Sequence, residues 1–468
     1  MHDFTIEEIA SVIQCKIASW KTKKPIKGFT NRHKNPSPFS LVFLFRHDLN
    51  EDSLIERLVK GKATGIIVSR QHKFQIDKFA QAGIGVLEVN NRKKAYRNMA
   101  RLYRRQFTIP ITQVTGSSGK TTTKELIGSV LKQEYSTLIG AGNYNSPDGV
   151  AFNLSKLEER HEAAVLEAGM KGFGTMRLSS QMIQPQIGVV TCIHRAHLPR
   201  LGTIENIIKA KVEMGEYLSL KGILVINGDD PNCAEYLKEI KYPGKIITFG
   251  FSEGNTIRAT NVYYENFQSF FTVKGKGFEF DCMMNTFGSY NIMNALAAIA
   301  VGLEHKVPIK KIQQGIAEFF PVKGRLQILS CPNDITVIHD NVNANPDSTN
   351  LLLNQVPYLP KRPIILVLGD MEKPHTNETY AKKVHYQTGE IIGDLSIEKL
   401  VAIGKWAKEY CHGAKSKGIS PDKLSYYKHA DEAKKDLLQI VPPKSIVIFK
   451  ASGKYCDLES LINLLKRK

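Results

Sequence analysis

The sequence predicts an α/β protein of three domains, of which the central one has a parallel sheet, a phosphate-binding loop (P-loop) and a small antiparallel appendage. Three observations predict this fold. From residue 109, short apolar runs alternate with helical stretches, which is typical of a mainly parallel sheet. After residue 254 the pattern changes to short strands with tight turns. After Pro321 the alternation returns, which predicts a separate, Rossmann-like C-terminal domain.

The first predicted domain is a small α/β unit of residues 1–107. FTIEEIASVI predicts a helix with Thr5 as its cap, since threonine accepts a hydrogen bond from a first-turn amide. SLVFLF, ATGIIVS and GIGVLEV predict buried strands. A helix rich in arginine and tyrosine, over residues 93–106, ends this domain.

The central domain is predicted over residues 108–321 and the C-terminal domain over residues 322–468. TIRATNVYYE, QSFFTVKG and FEFDCMM predict the antiparallel appendage of the central domain. The C-terminal strands are predicted at TVIHD, PIILVLGD, KLVAIG, LSYYK and SIVIFKAS. Between them, Asn345 and Pro346 predict a helix start, with the asparagine as cap and proline at the first helical position.

Composition favours an ordinary globular protein of the cytoplasm. The chain has 468 residues, and its longest apolar stretch, residues 292–303, is too short to span a bilayer. The N-terminal MHDFTIEEIA has early acidic residues and no apolar run, so it does not resemble a signal peptide. The seven scattered cysteines form no CxxC pair, which predicts reduced thiols rather than disulfides or a zinc site.

The formal net charge of +19 predicts a positive field that attracts anions such as nucleotides or acidic precursors. The lysines are spread along the chain, and no short basic block with interleaved aromatic residues stands out. A solvated basic surface is therefore favoured over a nucleic-acid site, and no nucleic-acid partner is expected.

The most informative segment is ITQVTGSSGKTTTKELIGSVL, in which a strand leads through a glycine- and serine-rich loop into a helix. Small residues let backbone N–H groups approach phosphate oxygens, and the helix N-terminus adds oriented donors. Lys120 is expected to reach the β- and γ-phosphates and Thr121 to hold Mg²⁺. The full pattern would have glycine where this chain has Val114, so the loop is a short form. The predicted nucleotide-binding residues of this segment are Gly116, Ser117, Ser118, Gly119, Lys120, Thr121 and Thr122.

A series of further motifs follows this loop. In order, they are GNYNSPDGVAFNL, EAGMKGFGTM, HRAHLPRLGTIENIIKAKVEM, NGDDP, YNIMNALAAIAVG, PVKGRLQIL, HDNVNANPDS and VLGDM. The ordered set resembles the Mur ligases over roughly residues 108–460 and is specific, although each piece alone is weak. Within that family it is most similar to the branch that adds D-Ala-D-Ala to a UDP-muramoyl peptide in peptidoglycan synthesis.

The resemblance implies an ATP-dependent carbon–nitrogen ligase with ATP and Mg²⁺ as cofactors. A substrate carboxylate would attack the γ-phosphate, and an amine would displace phosphate from the resulting acyl phosphate. Glu167 ends the apolar run AAVLE and corresponds to a metal-binding carboxylate. His197 corresponds to the histidine near a second Mg²⁺, and Lys211 to a lysine that is typically carbamylated and then acts as a metal ligand. With Lys120, these three are the expected catalytic residues.

The resemblance also implies further nucleotide contacts. Asn143 corresponds to the asparagine that supports the metal and phosphate region, with Asn145 as a weaker candidate. Asn291 and Asn294 correspond to adenine contacts, since amides read both a donor and an acceptor.

Two positions in the first part of the third domain complete this set. Arg325 corresponds to an arginine that approaches the ATP phosphates, and Asp340 to a carboxylate at the ribose or phosphate side. Lys450 and Ser452, in FKAS, align with a loop that contacts the acceptor amine.

The sequence departs from the family where the acid substrate binds. The usual DSR triplet keeps only an arginine, Arg32, and no DGHxF segment follows SLVFLF. Pro199 stands at an acidic position, and Val342 replaces a tyrosine. The ATP-binding motifs are therefore predicted to be intact, whereas the sugar-nucleotide site is altered.

Several functions stay open at this point. The leading hypothesis is a monomeric ligase of small molecules that joins an anionic carboxylate precursor to D-Ala-D-Ala or a similar amine. A ligase of the same superfamily with a different acid is the first alternative. A non-catalytic nucleotide-binding paralogue and a basic P-loop ATPase acting on nucleic acid are the others.

Overall fold

A computed structural model describes residues 3–46, 50–71, 74–194, 201–219, 221–240, 242–371, 378–453 and 456–467. The chain forms two compact units, one of residues 1–248 and 300–307 and one of residues 249–299 and 308–468. Within the described ranges, no helix has both the length and the apolar character needed to cross a bilayer.

The predicted α/β class is confirmed, and the strands form three mostly parallel sheets. The strands are β1 (Lys16–Ser19), β2 (Gly28–Thr30), β3 (Ser40–Phe43), β4 (Gly65–Ser69), β5 (Gly85–Val89), β6 (Ile111–Thr115), β7 (Thr137–Ile139), β8 (Ala163–Glu167), β9 (Ile187–Val190), β10 (Ile223–Asn227), β11 (Lys245–Gly250), β12 (Ile257–Glu265), β13 (Gln268–Gly275), β14 (Phe278–Met284), β15 (Gln327–Cys331), β16 (Ile335–Asp340), β17 (Ile364–Gly369), β18 (Lys399–Ile403), β19 (Leu424–Tyr427) and β20 (Ile446–Lys450). The α-helices of the described residues are α1 (Ile6–Ile13), α2 (Glu51–Lys60), α3 (Ile76–Gln81), α4 (Arg92–Arg104), α5 (Lys120–Leu131), α6 (Pro147–Leu154), α7 (Thr175–Ile183), α8 (Ile204–Val212), α9 (Pro231–Ile240), α10 (Ser289–Glu304), α11 (Ile309–Ala317), α12 (Pro346–Leu353), α13 (Glu378–Gly393), α14 (Lys408–Ser416), α15 (Ala430–Ile440) and α16 (Glu459–Leu465).

The first sheet has the strand order β1-β5-β4-β3-β2. Its strands run parallel except β1, which pairs antiparallel with β5. β3 and β4 are buried along their whole length, as expected of parallel strands that are covered on both faces. On α4, the ring of Tyr96 packs edge-on against Phe29 and Phe43, with centroids 5.3 and 5.0 Å apart. The predicted Thr5 cap of α1 is present, since the Glu8 N–H donates to its hydroxyl.

The second sheet has nine strands, and the part that begins at β11 has the order β11-β10-β9-β6-β8-β7. β6 lies between β8 and β9 and runs parallel to both. Parallel strands end at the same edge of a sheet, and ligands of such sheets bind there. This edge holds the loop after Thr115, the Glu167 side chain at the end of β8, and Thr191 just after β9. The topology therefore brings three separate sequence motifs to one place.

The second unit contains the predicted antiparallel appendage and the C-terminal sheet. β12, β13 and β14 form an antiparallel meander. The third sheet has the order β15-β16-β20-β17-β18-β19, with β15 antiparallel and the other strands parallel. The helix start predicted at Asn345 and Pro346 is confirmed, because Asn345 and Ser348 form a reciprocal capping box at α12.

Candidate active site

The phosphate loop, residues 116–119, connects β6 to α5 and depends on two glycines. Gly116 has φ +150°, and a Cβ there would lie 1.9 Å from the Thr191 hydroxyl oxygen. Gly119 caps α5 with φ +79°, a left-handed conformation that glycine adopts at no steric cost. Because no side-chain cap is present among the described residues, the first turn of α5 offers its N–H groups to an anion.

The segment after β9 holds this loop in place. The Thr191 hydroxyl donates to the Ser118 carbonyl (2.5 Å), and the Ser117 N–H donates to the Cys192 carbonyl (2.8 Å). The His194 N–H donates to the Ser117 hydroxyl (2.8 Å), and the Ser118 N–H donates to the Cys192 sulfur (3.3 Å). Burial raises the pKa of the Cys192 thiol, so this sulfur is a neutral acceptor at physiological pH.

Lys120 begins α5, and its ammonium folds back over the loop. It donates to the carbonyl oxygens of Gly116 (2.9 Å) and Ser117 (3.2 Å). A phosphate group at the loop would offer stronger, charged acceptors to the same ammonium.

Glu167 is the buried carboxylate at the centre of the site. The Thr121 hydroxyl donates to its Oε2 (2.7 Å), and the Asn145 amide donates to its Oε1 (2.6 Å). Asn143 has an exposed side chain, whereas the backbone carbonyl of Asn145 also accepts from the Gly169 N–H (2.8 Å). The structure thus brings Thr121 and Glu167 together with Asn145, the weaker of the two asparagine candidates.

The donor set around Glu167 is of the kind that suits Mg²⁺. Among the described residues, no three His, Cys, Asp or Glu side chains come together as a metal cluster. Magnesium is usually held by one or two carboxylates while it keeps waters and substrate phosphates as further ligands. A single carboxylate beside a hydroxyl and a phosphate loop therefore fits this ion better than it fits zinc or calcium.

Lys211, on α8, is fully buried. Burial, together with the positive charge of Lys120, lowers the pKa of its ammonium to about 7. A large fraction of this side chain is therefore a neutral amine at physiological pH. His197, the other expected catalytic residue, lies outside the described residues.

The expected adenine contacts lie at the start of α10. The Asn291 amide donates to the Phe287 carbonyl (2.8 Å) and the Thr286 hydroxyl (3.2 Å). The Asn294 amide lies 3.5 Å from the Asn291 side-chain oxygen. Both side chains are buried, and the helix start therefore presents two neighbouring amides.

In the C-terminal sheet, Asp340 and Lys450 are register partners at the ends of β16 and β20. The Lys450 ammonium donates to Asp340 Oδ2 (2.6 Å), and the Leu326 N–H donates to Oδ1 (3.2 Å). Asp340 thereby fixes the residue that follows Arg325, whose own side chain is half-buried. Ser452 is buried, and its N–H donates a hydrogen bond to the Asp370 carbonyl (3.1 Å).

Comparison with known proteins decides the family. The chain matches the family model of the Mur ligase middle domain over residues 114–302 and that of the Mur ligase, glutamate ligase domain over residues 324–453. It is 31% identical over 380 residues to the UDP-N-acetylmuramoyl-tripeptide–D-alanyl-D-alanine ligase of Bacillus subtilis, with 78% of each chain covered. The chain belongs to the Mur ligase family. It is therefore an ATP-dependent ligase, as the motifs predict.

Solved structures agree with this assignment. The chain superposes on a MurF crystal structure from Acinetobacter baumannii with a TM-score of 0.86 and 25% identity, covering 100% of both chains. A MurF ligase from Thermotoga maritima in complex with ADP shares the fold, with a TM-score of 0.78, 20% identity and 94% and 97% of the two chains covered. The three-domain architecture predicted for a Mur ligase is thus confirmed.

A cleft of about 340 Å³ lies between the altered triplet at Arg32 and residues 144–152 of this Mur ligase. The Arg32 guanidinium lies 4.8 Å from the centre of the Phe152 ring, and Tyr144 packs edge-on against the same ring at 5.4 Å. Asn31 and Asp148 also line the cleft, so planar, cationic and polar groups face one space.

The sequence interpretation of the Mur ligase site missed several residues that the structure assembles. Asp230 is buried and accepts from the Ile193 N–H (2.6 Å) and the Asn232 N–H (3.0 Å), and the His194 ring lies 3.9 Å from it. The NGDDP motif was the available signal, but it did not indicate which backbone groups the carboxylate would bind. Cys192 gave no signal, since a lone cysteine after a strand is usually a core residue.

Proposed function

We propose that this Mur ligase joins UDP-N-acetylmuramoyl-tripeptide to D-Ala-D-Ala, using ATP to activate the acid as an acyl phosphate. The name of the Bacillus subtilis relative supports these substrates. The observation that carries the chemistry is the hydrogen-bonded set of Thr121, Glu167 and Asn145 directly beside the phosphate loop. Such a set supports positioning and charge neutralisation, which are the main contributions of a protein to phosphoryl transfer.

We assign the phosphate-binding role to residues 116–122. Lys120 would exchange the Gly116 and Ser117 carbonyls for the β- and γ-phosphates, and the first turn of α5 would donate its N–H groups. Thr121, Glu167, His197 and Lys211 would hold Mg²⁺, which supplies Lewis-acid neutralisation of charge on the phosphates.

The role proposed for Lys211 requires carbamylation, in which the neutral amine adds to CO₂ and releases one proton. Burial without a carboxylate partner among the described residues favours the neutral amine. The carbamate product carries a carboxylate-like group in place of an ammonium, and so removes the repulsion from Lys120.

We propose that the remaining nucleotide contacts are Asn291 and Asn294 for adenine, Arg325 for the phosphates and Asp340 for the ribose or phosphate side. Asn143 stays a candidate beside Asn145. The ion pair of Asp340 with the buried Lys450 supports a preorganised position for Arg325, since Asp340 also holds the backbone at Leu326.

We propose residues 1–107 as the domain that binds the acid, with residues 108–321 and 322–468 as the ATP-binding and C-terminal ligase domains. The first segment contains 21 Lys and Arg against nine Asp and Glu, a net charge of +12 out of +19 for the chain. A sugar nucleotide is a polyanion, so this concentration of charge supports an anionic precursor. Arg32, the retained member of the usual triplet, lies 4.8 Å from the centre of the Phe152 ring and would contact the precursor there.

We propose that the enzyme is cytoplasmic and monomeric. ATP is a cytoplasmic substrate, and all seven cysteines are free thiols.

The test is a substrate panel with ADP formation as the readout. UDP-muramoyl-tripeptide and D-Ala-D-Ala should each be required, and omission of either should remove turnover. ADP formation with another acid under the same conditions, and none with the muramoyl precursor, would overturn the substrate assignment and leave the ligase class intact. Binding of ATP without turnover on any pair would overturn both.

A further inference from the structure

Lys124 is a fully buried lysine in α5, one turn beyond Thr121. Lysine is almost never fully buried unless its charge is paired, because removal of the ammonium from water is costly. Lys124 meets this condition with three acceptors. Its ammonium donates to the carbonyls of Gly140 (2.5 Å) and Gly142 (2.8 Å) and forms an ion pair with Glu125 (2.8 Å).

The two carbonyls belong to the loop that follows β7. At its start, the Gly140 N–H continues the sheet by donating to Val165 (2.9 Å). Gly142 has φ +47° and open space around its Cβ position, so its own packing does not fix it. Three residues later the loop reaches Asn145, whose amide donates to Glu167.

Both carboxylate oxygens of Glu167 are therefore positioned by α5, one directly and one through the loop. Thr121 binds Oε2 directly from α5, and Asn145 binds Oε1 at the end of a loop that Lys124 ties to α5. Without the ammonium, the buried Gly140 carbonyl and the part-buried Gly142 carbonyl would lose this donor. The Asn153 side chain would still bind the loop at Ala141 and Tyr144, and the Gly169 N–H would still bind the Asn145 carbonyl. The 140–142 segment could then shift relative to α5 and disturb the position of the Asn145 amide at the carboxylate.

We propose that Lys124 is a positioning residue for the metal–nucleotide centre: it fixes the 140–145 loop so that Asn145 orients the Glu167 carboxylate. The inference rests on the proposed function only in that Glu167 binds the metal of a metal–nucleotide complex. It predicts that Lys124 acts through Asn145 and has no contact with either the acid or the amine.

The test is a double-variant cycle of Lys124→Met and Asn145→Ala in the full-length protein. The readout is the Mg²⁺ concentration that half-saturates ATP binding, measured by calorimetry, which does not need turnover. Each single variant should raise this concentration about tenfold, the size expected for loss of one hydrogen bond to a charged group. The double variant should show the same tenfold increase and no more, since both changes break one chain of contacts.

Lys132→Met, an exposed lysine next to the end of the same helix, is the matched control and should leave the Mg²⁺ requirement unchanged. If Lys124→Met does not fold, Lys124→Arg keeps the charge and should still raise the requirement about threefold by displacing the loop. A merely structural role predicts a lower melting temperature with an unchanged Mg²⁺ requirement, or additive effects in the double variant. Either result would overturn the proposal. Wild-type protein that binds Mg-ATP but turns over no substrate pair would refute the proposed ligase function and leave this test valid.

Discussion

Replacement of Lys211 by methionine should change the pH dependence of the free energy of unfolding. The change should be larger than for the same replacement of any surface lysine. In the folded protein the pKa of Lys211 is lowered to about 7 from 10.5, because the ammonium is buried and faces Lys120. Between these values the unfolded chain holds one proton more than the folded chain, so the free energy of unfolding of the wild type rises with pH. Methionine has a similar length and does not titrate, so the difference between the two proteins isolates this group.

The magnitude follows from the two pKa values. At about 1.4 kcal/mol per pH unit, the wild type should gain about 3 kcal/mol relative to Lys211→Met between pH 7 and pH 9.5. The variant should be the more stable protein at pH 7 and should lose this advantage as the pH rises.

The assay is urea unfolding at pH 7 and 9.5, in CO₂-depleted, metal-free buffer so that neither carbamylation nor Mg²⁺ contributes. Changes in other titrating groups cancel between the two proteins, as long as the slopes of the urea dependence agree. A stability difference that stays constant across this range would mean that Lys211 keeps its ordinary pKa, and the reasoning from burial would be wrong. Activity should fall to background in the variant at both pH values.

Three further predictions concern other residues. Lys120→Ala should abolish ADP formation while exposed Lys132→Ala does not, and near-normal turnover of the first variant would refute the phosphate-loop assignment. Asp340→Asn should lower the free energy of unfolding by about 3 kcal/mol, because it leaves the buried Lys450 ammonium without a counter-charge. A change within about 0.5 kcal/mol is typical of a surface substitution and would argue against a stabilising ion pair. Arg104→Met should cost about 3 kcal/mol in urea unfolding, since the buried guanidinium donates to the backbone carbonyls of Phe107 and Ile109, which follow α4, and of Ile183 at the end of α7. An equal cost for a Met substitution at the next, exposed arginine would contradict this.

The sequence predicts those parts of the fold that have strong local signals. Apolar runs such as ITQV and IILVLG lie in strands that are buried on both faces, where a continuous hydrophobic segment is required. The edge strands β1 and β15 were not predicted. Each pairs on one side only and carries exposed polar residues, so neither has a strand-like pattern of its own.

The candidate site could be predicted as a set of residue types but not as a set of contacts. The motif GNYNSP contains two asparagines, and only the fold shows that Asn145 reaches Glu167 while the side chain of Asn143 is exposed. The sequence alone does not distinguish Lys124 from an exposed helical lysine, because its burial depends on a loop that begins 16 residues later. Its function therefore becomes visible only in three dimensions.

The phosphate loop is shaped before any nucleotide arrives. Residues 191–194 hold Ser117 and Ser118 through several hydrogen bonds, and Gly116 has no room for a side chain. The conformational entropy of ordering this loop is thus lost when the chain folds, rather than when phosphates bind. A rigid receptor of backbone groups recognises any polyphosphate of the right shape. Discrimination between ATP and other nucleoside triphosphates must then arise from groups that contact the base.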